Sequence, residues 1–388
     1  MTHPLLSNAR STLPEALEAL RTIVEHTSGT EDAVGVGRVQ DWLAAKLACL
    51  GFDTTVWHEG SRAFGPHLYA CQLTRVPPRV LLLGHADTAH RDDPSDPFPF
   101  TVDDRRAYGP GVADMKGGLI VAVEALRLLR ALGRSEPEVA VLVTPDEEVG
   151  SPLSRGVIPR YARAHTAVLN LEPARPTGDV VVARKGSAHL TVVAHGRSAH
   201  AGLAPQDGAN AIDALASLIV HARTLADVES GTTLNVGTVR GGTATNVVPA
   251  WAEARIHVGA WSADNLAGAI ATIRRACAAP AVPGTRLELA EGGGFPPMER
   301  TEAVDRLLAE ARAAAQEVGI ALEATSTAGA ADAGHVAAAG VPVLCGLGPV
   351  GGGLHSRDEY VEISSLAERA AVLACLLDRL LGPPPTDR

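Results

Sequence analysis

Apolar residues recur at three- and four-residue spacing in several long stretches, which is the period of an amphipathic α-helix. Shorter, wholly apolar runs lie between them and predict buried β-strands. Because strands alternate with helices, we expect an α/β fold with a mostly parallel sheet. The predicted helices are Leu13–His26, Gly35–Leu50, Lys116–Leu132, Thr301–Gly319 and Ser364–Leu381. The predicted strands are Asp53–His58, His67–Cys71, Arg79–Leu83, Glu138–Thr144, Thr166–Leu171 and Val341–Gly346, with a surface loop at Arg91–Val102.

The hydrophobic pattern changes near Asp179, where strands begin to alternate between buried and exposed positions. The order becomes strand, helix, strand, strand, helix, strand, as in the split βαβ arrangement of ferredoxin-like domains. We therefore expect a discontinuous α/β domain, residues 1–179 and 294–388, interrupted by an α+β domain, residues 180–293. The segments of the insertion are Val180–Ala183, Ser187–Ala194, Ala209–Leu225, Thr233–Arg240, Trp251–Val258, Ala263–Ala278 and Arg286–Ala290, with Gly292–Pro297 as a linker and a Pro-rich tail at Gly382–Pro385.

Composition favours a soluble globular protein, with 388 residues, 46% hydrophobic and 20% charged. The net charge of −10 and the lack of a Lys/Arg block predict no nucleic-acid partner. Apolar runs fall short of the ~18 residues that span a membrane, and the N-terminus lacks a signal-peptide profile. The five cysteines show no C-x-x-C spacing and predict reduced thiols. We therefore expect a cytoplasmic protein without a membrane partner.

Metal-capable side chains follow the predicted parallel strands at their carboxyl ends, where functional groups collect in such sheets. Two more stand in glycine-rich loops. Each alone has an ordinary explanation, as a helix cap or a solvated charge, but their shared placement predicts a metal centre. Nitrogen and oxygen donors suit Zn²⁺ or a similar divalent ion. The candidate ligands are His85, Asp114, Glu148, Glu172 and His355.

Two further acids have predicted roles beside the ligands. Asp87 stands two residues after His85, and a metal-bound imidazole usually passes its other N–H to a carboxylate. Glu147 and Glu148 are adjacent, and neighbouring carboxylates repel unless one binds a metal and the other takes up a proton. We therefore predict Glu148 as ligand and Glu147 as general base on a metal-activated water. The alternatives are a capping aspartate and a solvated acidic pair.

Five motifs together carry a family resemblance. They are Gly84–Asp87, Gly111–Gly118, Asp146–Ser151, Gly196–Gly202 and Gly346–Ser356. In these motifs the chain resembles the di-zinc exopeptidases and deacylases, a family that includes carboxypeptidase G, acetylornithine deacetylase, succinyl-diaminopimelate desuccinylase and the aminoacylases. Within it the pattern is most similar to the carboxypeptidase G-like glutamate carboxypeptidases. The resemblance covers nearly the whole chain.

The resemblance implies that Asp114 bridges two divalent metal ions, Zn²⁺ with Co²⁺ or Mn²⁺ as alternatives. His85 and Glu172 would complete one site, and Glu148 and His355 the other. It also implies a cis peptide bond after Asp114. The implied reaction is hydrolysis of an amide bond next to an amino-acid carboxylate, in an N-acyl amino acid or short peptide. The enzyme would act as a carboxypeptidase or as a deacylase.

The resemblance further implies that the inserted domain is a lid or dimerisation domain and that the protein is a homodimer. His200 would bind substrate or stabilise the oxyanion as a catalytic residue, and Asn246 and Gly353 would bind substrate. One departure stands out, because the family's carboxylate-binding arginine is replaced by Gly259. An arginine normally grips a carboxylate with two hydrogen bonds. Its replacement is left open among Arg184, Arg240 and Arg255.

Two other functions remain open from the sequence. The same scaffold could run a biosynthetic amide-forming reaction, or it could be a retired hydrolase that only binds ligands. A retired enzyme usually loses a ligand or its base. All five candidate ligands and Glu147 are present, which favours a working hydrolase.

Overall fold

The computed structural model describes residues 3–72, 78–90, 95, 97–134, 138–227 and 229–382. The helices are α1 (Pro4–Ser11), α2 (Leu13–Glu25), α3 (Ala33–Cys49), α4 (Lys116–Ala131), α5 (Ser154–Ala162), α6 (Ala211–Arg223), α7 (Ala263–Ala278), α8 (Glu302–Val318), α9 (Ala333–Ala338) and α10 (Ile363–Leu381). The strands are β1 (Asp53–Trp57), β2 (His67–Cys71), β3 (Val80–His85), β4 (Thr101–Val102), β5 (Arg106–Tyr108), β6 (Val139–Thr144), β7 (Ala167–Asn170), β8 (Val180–Arg184), β9 (Gly186–His195), β10 (Thr233–Gly241), β11 (Trp251–Ala260), β12 (Arg286–Phe295), β13 (Ala324–Thr327), β14 (Val343–Leu344), β15 (Gly351–Gly352) and β16 (Tyr360–Glu362). Single 3₁₀ turns lie at Glu147–Val149 and Pro205–Asp207.

The chain forms two compact units. Unit 1 comprises Met1–Ala183, Arg300–Thr327 and Ala331–Arg388, and unit 2 comprises Arg184–Glu299 with Ala328–Ala330. From the sequence, we expect the inserted domain to begin at residue 180 and the first domain to resume at residue 294. Val180–Ala183, assigned from the sequence to the insertion, lies in unit 1, where β8 pairs with β13.

Unit 1 is built on a six-stranded sheet in the order β1-β2-β6-β3-β7-β14. Strands β6, β3, β7 and β14 run parallel, and β2 runs antiparallel to both of its neighbours. Every residue of β3, β6 and β7 is buried, as expected for parallel strands. The predicted α/β fold with a mostly parallel sheet is confirmed.

The register of the central strands brings their carboxyl ends together. His85, the last residue of β3, pairs with Thr144, the last residue of β6. On the other side of β3, Leu83 pairs with Asn170, the last residue of β7. The prediction that β3 ends at Leu83 was wrong by two residues, so His85 belongs to the strand itself. Side chains at and beyond these three ends therefore gather at one edge of the sheet.

A smaller sheet of unit 1, in the order β15-β16-β5-β4, joins two loops. Val361 of β16 pairs with Gly351 of β15 and with Ala107 of β5. The loop between β15 and β16 is thereby held beside the loop that follows β5. Strands of two or three residues are too short to give a periodic signal, so the sequence did not predict them.

The predicted surface loop at Arg91–Val102 needs a correction. Thr101–Val102 forms β4 and pairs with β5, so the loop prediction was wrong for these two residues. Residues 91–94 and 96 lie outside the described residues. The last residues of the Pro-rich tail, 383–385, also lie outside them.

Unit 2 contains an antiparallel four-stranded sheet in the order β10-β11-β9-β12. Its elements follow the chain order β9, α6, β10, β11, α7, β12. Alternate strand residues such as Val192 and Ile256 pack with Leu215 of α6 and Ile273 of α7 in one buried cluster. The two helices therefore cover one face of this sheet.

The glycine run near the end of unit 2 is a strand rather than a linker. Strand β12 continues to Phe295, with a shift of register between Glu291 and Gly294. A Cβ atom on Gly294 would lie 2.3 Å from the carbonyl oxygen of Ser187. The glycines thus permit a bulged strand to approach its neighbour closely, and the linker prediction was wrong for residues 292–295.

Three short helices of unit 1 escaped the sequence analysis. Helix α1 is eight residues long and α9 only six, and α5 contains Pro159, which normally marks the end of a helix. The other helices agree with their predicted ranges to within about two residues, the usual uncertainty of helix ends. Of the helices described, none is both long and apolar enough to cross a membrane.

Candidate metal centre

His85 is oriented through one of its ring nitrogens. Its Nδ1 lies 2.9 Å from the main-chain oxygen of Asp87 and 3.3 Å from Asp87 Oδ1. Both residues are buried. An Nδ1–H that donates to these oxygens fixes the tautomer and leaves the lone pair on Nε2, as in metal-binding imidazoles.

Asp114 lies between two imidazoles. Its Oδ1 is 3.3 Å from Nε2 of His85, and its Oδ2 is 3.4 Å from Nε2 of His355. The Asp114–Met115 peptide bond is cis, as the resemblance implies. Each carboxylate oxygen of Asp114 thus faces a different histidine.

A second carboxylate accompanies each histidine. Glu172 Oε1 lies 3.5 Å from Nε2 of His85, and Glu148 Oε2 lies 3.1 Å from Nε2 of His355. His85, Asp114 and Glu148 each offer one ligand atom, and these three atoms lie within 4.8 Å of one another. The five residues predicted as ligands therefore come together in two halves that share Asp114.

The chemistry of this cluster fits divalent cations. His85 Nε2 and Glu148 Oε1 are buried and have no hydrogen-bond partner among the residues that the structure describes. A buried polar atom without a partner is costly, and a cation would satisfy both atoms. The donors are nitrogen and oxygen atoms, a set that suits Zn²⁺, Co²⁺ or Mn²⁺.

The electrostatics of the cluster also favour positive charge. Burial by itself lowers the pKa of His85, but the nearby carboxylates of Asp114, Asp87 and Glu172 outweigh burial and raise that pKa well above its usual value. Hydrogen bonds with Asp114 and Glu148 raise the pKa of His355 to about 10. Both imidazoles thus stand in a field that stabilises an added cation.

Glu147 lies beside the cluster at 8% exposure. Burial raises the pKa of Glu147 well above the usual value. The charge of His85 lowers this pKa, whereas the charges of Glu172 and Glu148 raise it further. A carboxylate in such surroundings accepts a proton more readily than one in water, which a general base requires.

Sequence analysis missed two residues that support this region. Thr30 donates its hydroxyl to Asp87 Oδ2 at 2.7 Å. Asp332 accepts hydrogen bonds from the hydroxyls of Ser151 and of Thr144, the latter at 2.9 Å, on either side of the turn at Glu147–Val149. Neither residue was assigned a role from the sequence, because the burial and the hydrogen-bond partners of a polar loop residue cannot be read from a single sequence.

A third missed residue is Glu359, whose carboxylate is bonded to the main chain of the Asp114 loop. Its one signal in the sequence is a place four residues after His355, beside Asp358. An acidic pair in a loop is more often solvated than buried. The sequence alone therefore gave no reason to single it out.

The predicted substrate-binding residues lie in both units. In unit 2, His200 pairs with Val247, and the N–H of Ala201 donates to the carbonyl of Asn246 at 2.9 Å, so His200 and Asn246 are neighbours. In unit 1, Gly353 has a φ of 66°, and a Cβ there would lie 2.3 Å from the Asp358 carbonyl oxygen. Only glycine fits that turn without strain.

Gly259 lies in β11 opposite Thr233, where the family resemblance implies an arginine. Of the three arginines left open as replacements, Arg184 donates to two main-chain carbonyls at 3.1 and 3.3 Å. Arg255 forms an ion pair with a neighbouring glutamate at 3.4 Å, and Arg240 is exposed on the edge strand β10. Arg184 and Arg255 are thus already engaged within unit 2.

Comparison with known proteins adds an independent line of observation. The model of the family described as Peptidase family M20/M25/M40 matches residues 81–379. Carboxypeptidase G2 of Pseudomonas sp. (strain RS-16) is 30% identical over 378 residues, covering 96% of this chain and 91% of the relative. A succinyl-diaminopimelate desuccinylase of Gluconacetobacter diazotrophicus is 30% identical over 397 residues, covering 95% of this chain and 97% of the relative.

A solved structure extends the comparison. A dinuclear metal-binding peptidase of the M20 family from Bacillus subtilis matches with a TM-score of 0.70 and 16% identity. The match covers 96% of this chain and 99% of that chain. At this identity the likeness shows a shared fold. The residues matched by the family model include every donor of the cluster described above.

Proposed function

Because this chain belongs to peptidase family M20/M25/M40 and is a metal-dependent hydrolase, we propose that it hydrolyses the amide bond next to an amino-acid carboxylate. The substrate would be an N-acyl amino acid or a short peptide. One observation carries this proposal: the two carboxylate oxygens of Asp114 face two different imidazoles, each accompanied by a glutamate.

We assign two divalent ions to the cluster, Zn²⁺ with Co²⁺ or Mn²⁺ as alternatives. His85 and Glu172 would hold one ion, Glu148 and His355 the other, and Asp114 both. When bound, such ions supply Lewis acidity that polarises an amide carbonyl and acidifies a water. The buried atoms without hydrogen-bond partners support this assignment, as does the dinuclear character of the Bacillus subtilis peptidase.

In this proposal Glu147 is the residue that transfers protons. Glu147 would take a proton from the attacking water and deliver it to the leaving amine. Its burial and raised pKa suit both steps, because the protonated form must persist until the amine leaves. Asp87 would keep His85 in the required tautomer.

Unit 2 would serve as a ferredoxin-like lid or dimerisation domain. The strand order β10-β11-β9-β12 and the order of its elements support that topology. Strand β10 lies at an edge of the sheet, and Val239 on it is 55% exposed. An exposed edge strand with apolar side chains suits pairing with a second copy in a homodimer.

His200, Asn246 and Gly353 would bind substrate, and His200 would also stabilise the oxyanion. A cytoplasmic location is a further part of the proposal, and the five free cysteines support it.

The test is hydrolysis after metal loading. The purified chain is stripped with a chelator, loaded with Zn²⁺ or Co²⁺, and assayed on N-acetyl, N-benzoyl and N-succinyl amino acids and on dipeptides. Glu147→Gln should lower kcat by about 10²- to 10⁴-fold. Glu18→Gln, at an exposed position of α2, is the matched control and should leave kcat unchanged.

Two results would count against the proposal in different ways. A chain that binds two ions yet cleaves none of these amides would refute the reaction. Wild-type turnover in metal-loaded Glu147→Gln would refute only the assignment of the base.

A further inference from the structure

Glu359 is a buried acid that is hydrogen-bonded to the main chain of the loop ending at Asp114. Its side chain is 1% exposed in the fold. Its Oε1 accepts the main-chain N–H groups of Ala113 and Asp114, both at 2.9 Å. Its Oε2 accepts the N–H of Gly111 at 3.0 Å and lies 2.8 Å from His90 Nε2.

These four contacts use both oxygens of the carboxylate. Burying a carboxylate is costly unless hydrogen bonds replace its water. Hydrogen bonds to an ionised acceptor are about twice as strong as those between neutral groups. The loop that ends at Asp114 is therefore fixed by one ionic side chain, and Glu359 has no oxygen left over for a metal.

Glu359 also belongs to the loop that carries His355. It stands four residues after His355, and its own N–H donates to the carbonyl of Ser356 at 3.2 Å. Strand β16 begins at the next residue, Tyr360, and pairs with β5, from which the Asp114 loop departs. One carboxylate thus joins the two chain segments that supply Asp114 and His355.

We propose that Glu359 is a positioning residue that sets the Asp114 carboxylate relative to His355, so that the affinity for divalent cations depends on it. The inference rests on the proposed function in that it takes Asp114 as the shared ligand. Glu359 acts through the main chain: its hydrogen bonds hold the N–H groups at Ala113 and Asp114, and the direction of the Asp114 side chain follows from them.

The substitution Glu359→Gln tests this with little change of shape. A glutamine amide has one accepting oxygen and one N–H₂ group. In either orientation the N–H₂ group faces at least one main-chain N–H, so the loop must move. We expect the affinity for Zn²⁺, measured by competition with a chelator, to fall by about 10- to 100-fold. The visible absorption spectrum of the Co²⁺ form should change with it, because that spectrum reports ligand geometry.

The matched control is Glu362→Gln, three residues further along the chain at the end of β16. Glu362 forms a partly exposed ion pair with Arg106 at 2.8 Å, away from the cluster. It should bind Zn²⁺ like the wild type and keep the same Co²⁺ spectrum. If Glu359→Gln fails to fold, Glu359→Asp keeps the charge but draws the carboxylate back by one methylene, and its Zn²⁺ affinity should still fall.

The outcomes separate a positioning role from a merely structural one. If the variants unfold at a lower temperature without metal but keep wild-type Zn²⁺ affinity and Co²⁺ spectrum, the inference is overturned. A wild-type chain that binds no divalent cation would overturn it together with the proposed metal centre. If the wild type binds metal but cleaves no amide, the proposed reaction is refuted. The role of Glu359 is then still tested by the Zn²⁺ affinity of Glu359→Gln relative to the wild type.

Discussion

The carboxylate of Asp87 accepts the main-chain N–H of Glu147 over 3.2 Å, which joins the end of β3 to the turn after β6. Its other oxygen accepts the N–H of Glu148 at 3.1 Å and the hydroxyl of Thr30 at 2.7 Å. The same side chain lies 3.3 Å from Nδ1 of His85. One buried carboxylate thus holds both an imidazole of the cluster and the turn that carries the proposed base.

Asp87→Asn should therefore impair metal binding and turnover together. Asparagine has a single accepting oxygen, and its N–H₂ group would oppose an N–H of the turn or of His85. We expect a loss of about 10- to 100-fold in metal affinity or kcat. Calorimetric titration with Zn²⁺ and steady-state kinetics measure the two effects. Asp41→Asn, on the exposed side of α3, is the control. Wild-type values in Asp87→Asn would show that the main chain holds the turn without it.

Asp114→Asn and His355→Asn should differ in the number of ions retained. Asp114 faces both imidazoles, so its loss should empty both sites, whereas loss of His355 should leave about one of two ions. Asparagine suits position 355 because the φ of 60° there is better tolerated by Asn than by most residues. Metal content after dialysis, by mass spectrometry, gives the count. His58→Asn, at an exposed site of unit 1, should keep the wild-type content. Two ions in Asp114→Asn would refute a shared ligand.

Gly118→Ala should destabilise unit 1 and weaken metal binding. A Cβ at Gly118 would lie 2.0 Å from the carbonyl oxygen of Leu171, the residue before Glu172. Because that atom belongs to the backbone, the chain must move, at a cost of about 1–3 kcal/mol. Gly268→Ala in α7 meets no atom within 4 Å and should stabilise by roughly 0.5–1 kcal/mol. Urea unfolding measures both, and equal effects of the two substitutions would contradict the packing argument.

Asp332→Asn should reduce the dependence of stability on pH. Burial raises the pKa of Asp332 from its ordinary value of 3.8 to about 7. A carboxyl group with a higher pKa in the folded state contributes stability that is full below pH 3.8 and is lost as the pH rises to about 7.

The amide of Asp332→Asn does not titrate, so the metal-free variant should lose less stability than metal-free wild type between roughly pH 4 and pH 7. Urea unfolding across this range gives the slope. Asp264→Asn, exposed in the first turn of α7, should keep the wild-type slope. An unchanged slope in Asp332→Asn would mean that other groups cause the dependence.

Much of the cluster was visible in the sequence because of a simple rule of parallel sheets. Apolar runs marked β3, β6 and β7, and the carboxyl ends of parallel strands meet at one edge. His85, Glu148 and Glu172 therefore had to be close once those runs were strands of one sheet. The glycine run at residues 292–294 misled the same reasoning, since glycine marks both loops and bulged strands and only close packing against Ser187 distinguishes them.

What the sequence determined by itself was the set of donors and the sheet edge at which most of them gather, since both follow from residue type and from periodicity along the chain. The tertiary structure alone decided which distant segments touch. Glu359 and Asp114 are 245 residues apart, and they meet because β16 pairs with β5. Hydrogen bonds between such segments depend on strand register and on the path of the loops in three dimensions. Hydrophobic patterns along the chain report local secondary structure and therefore predict neither.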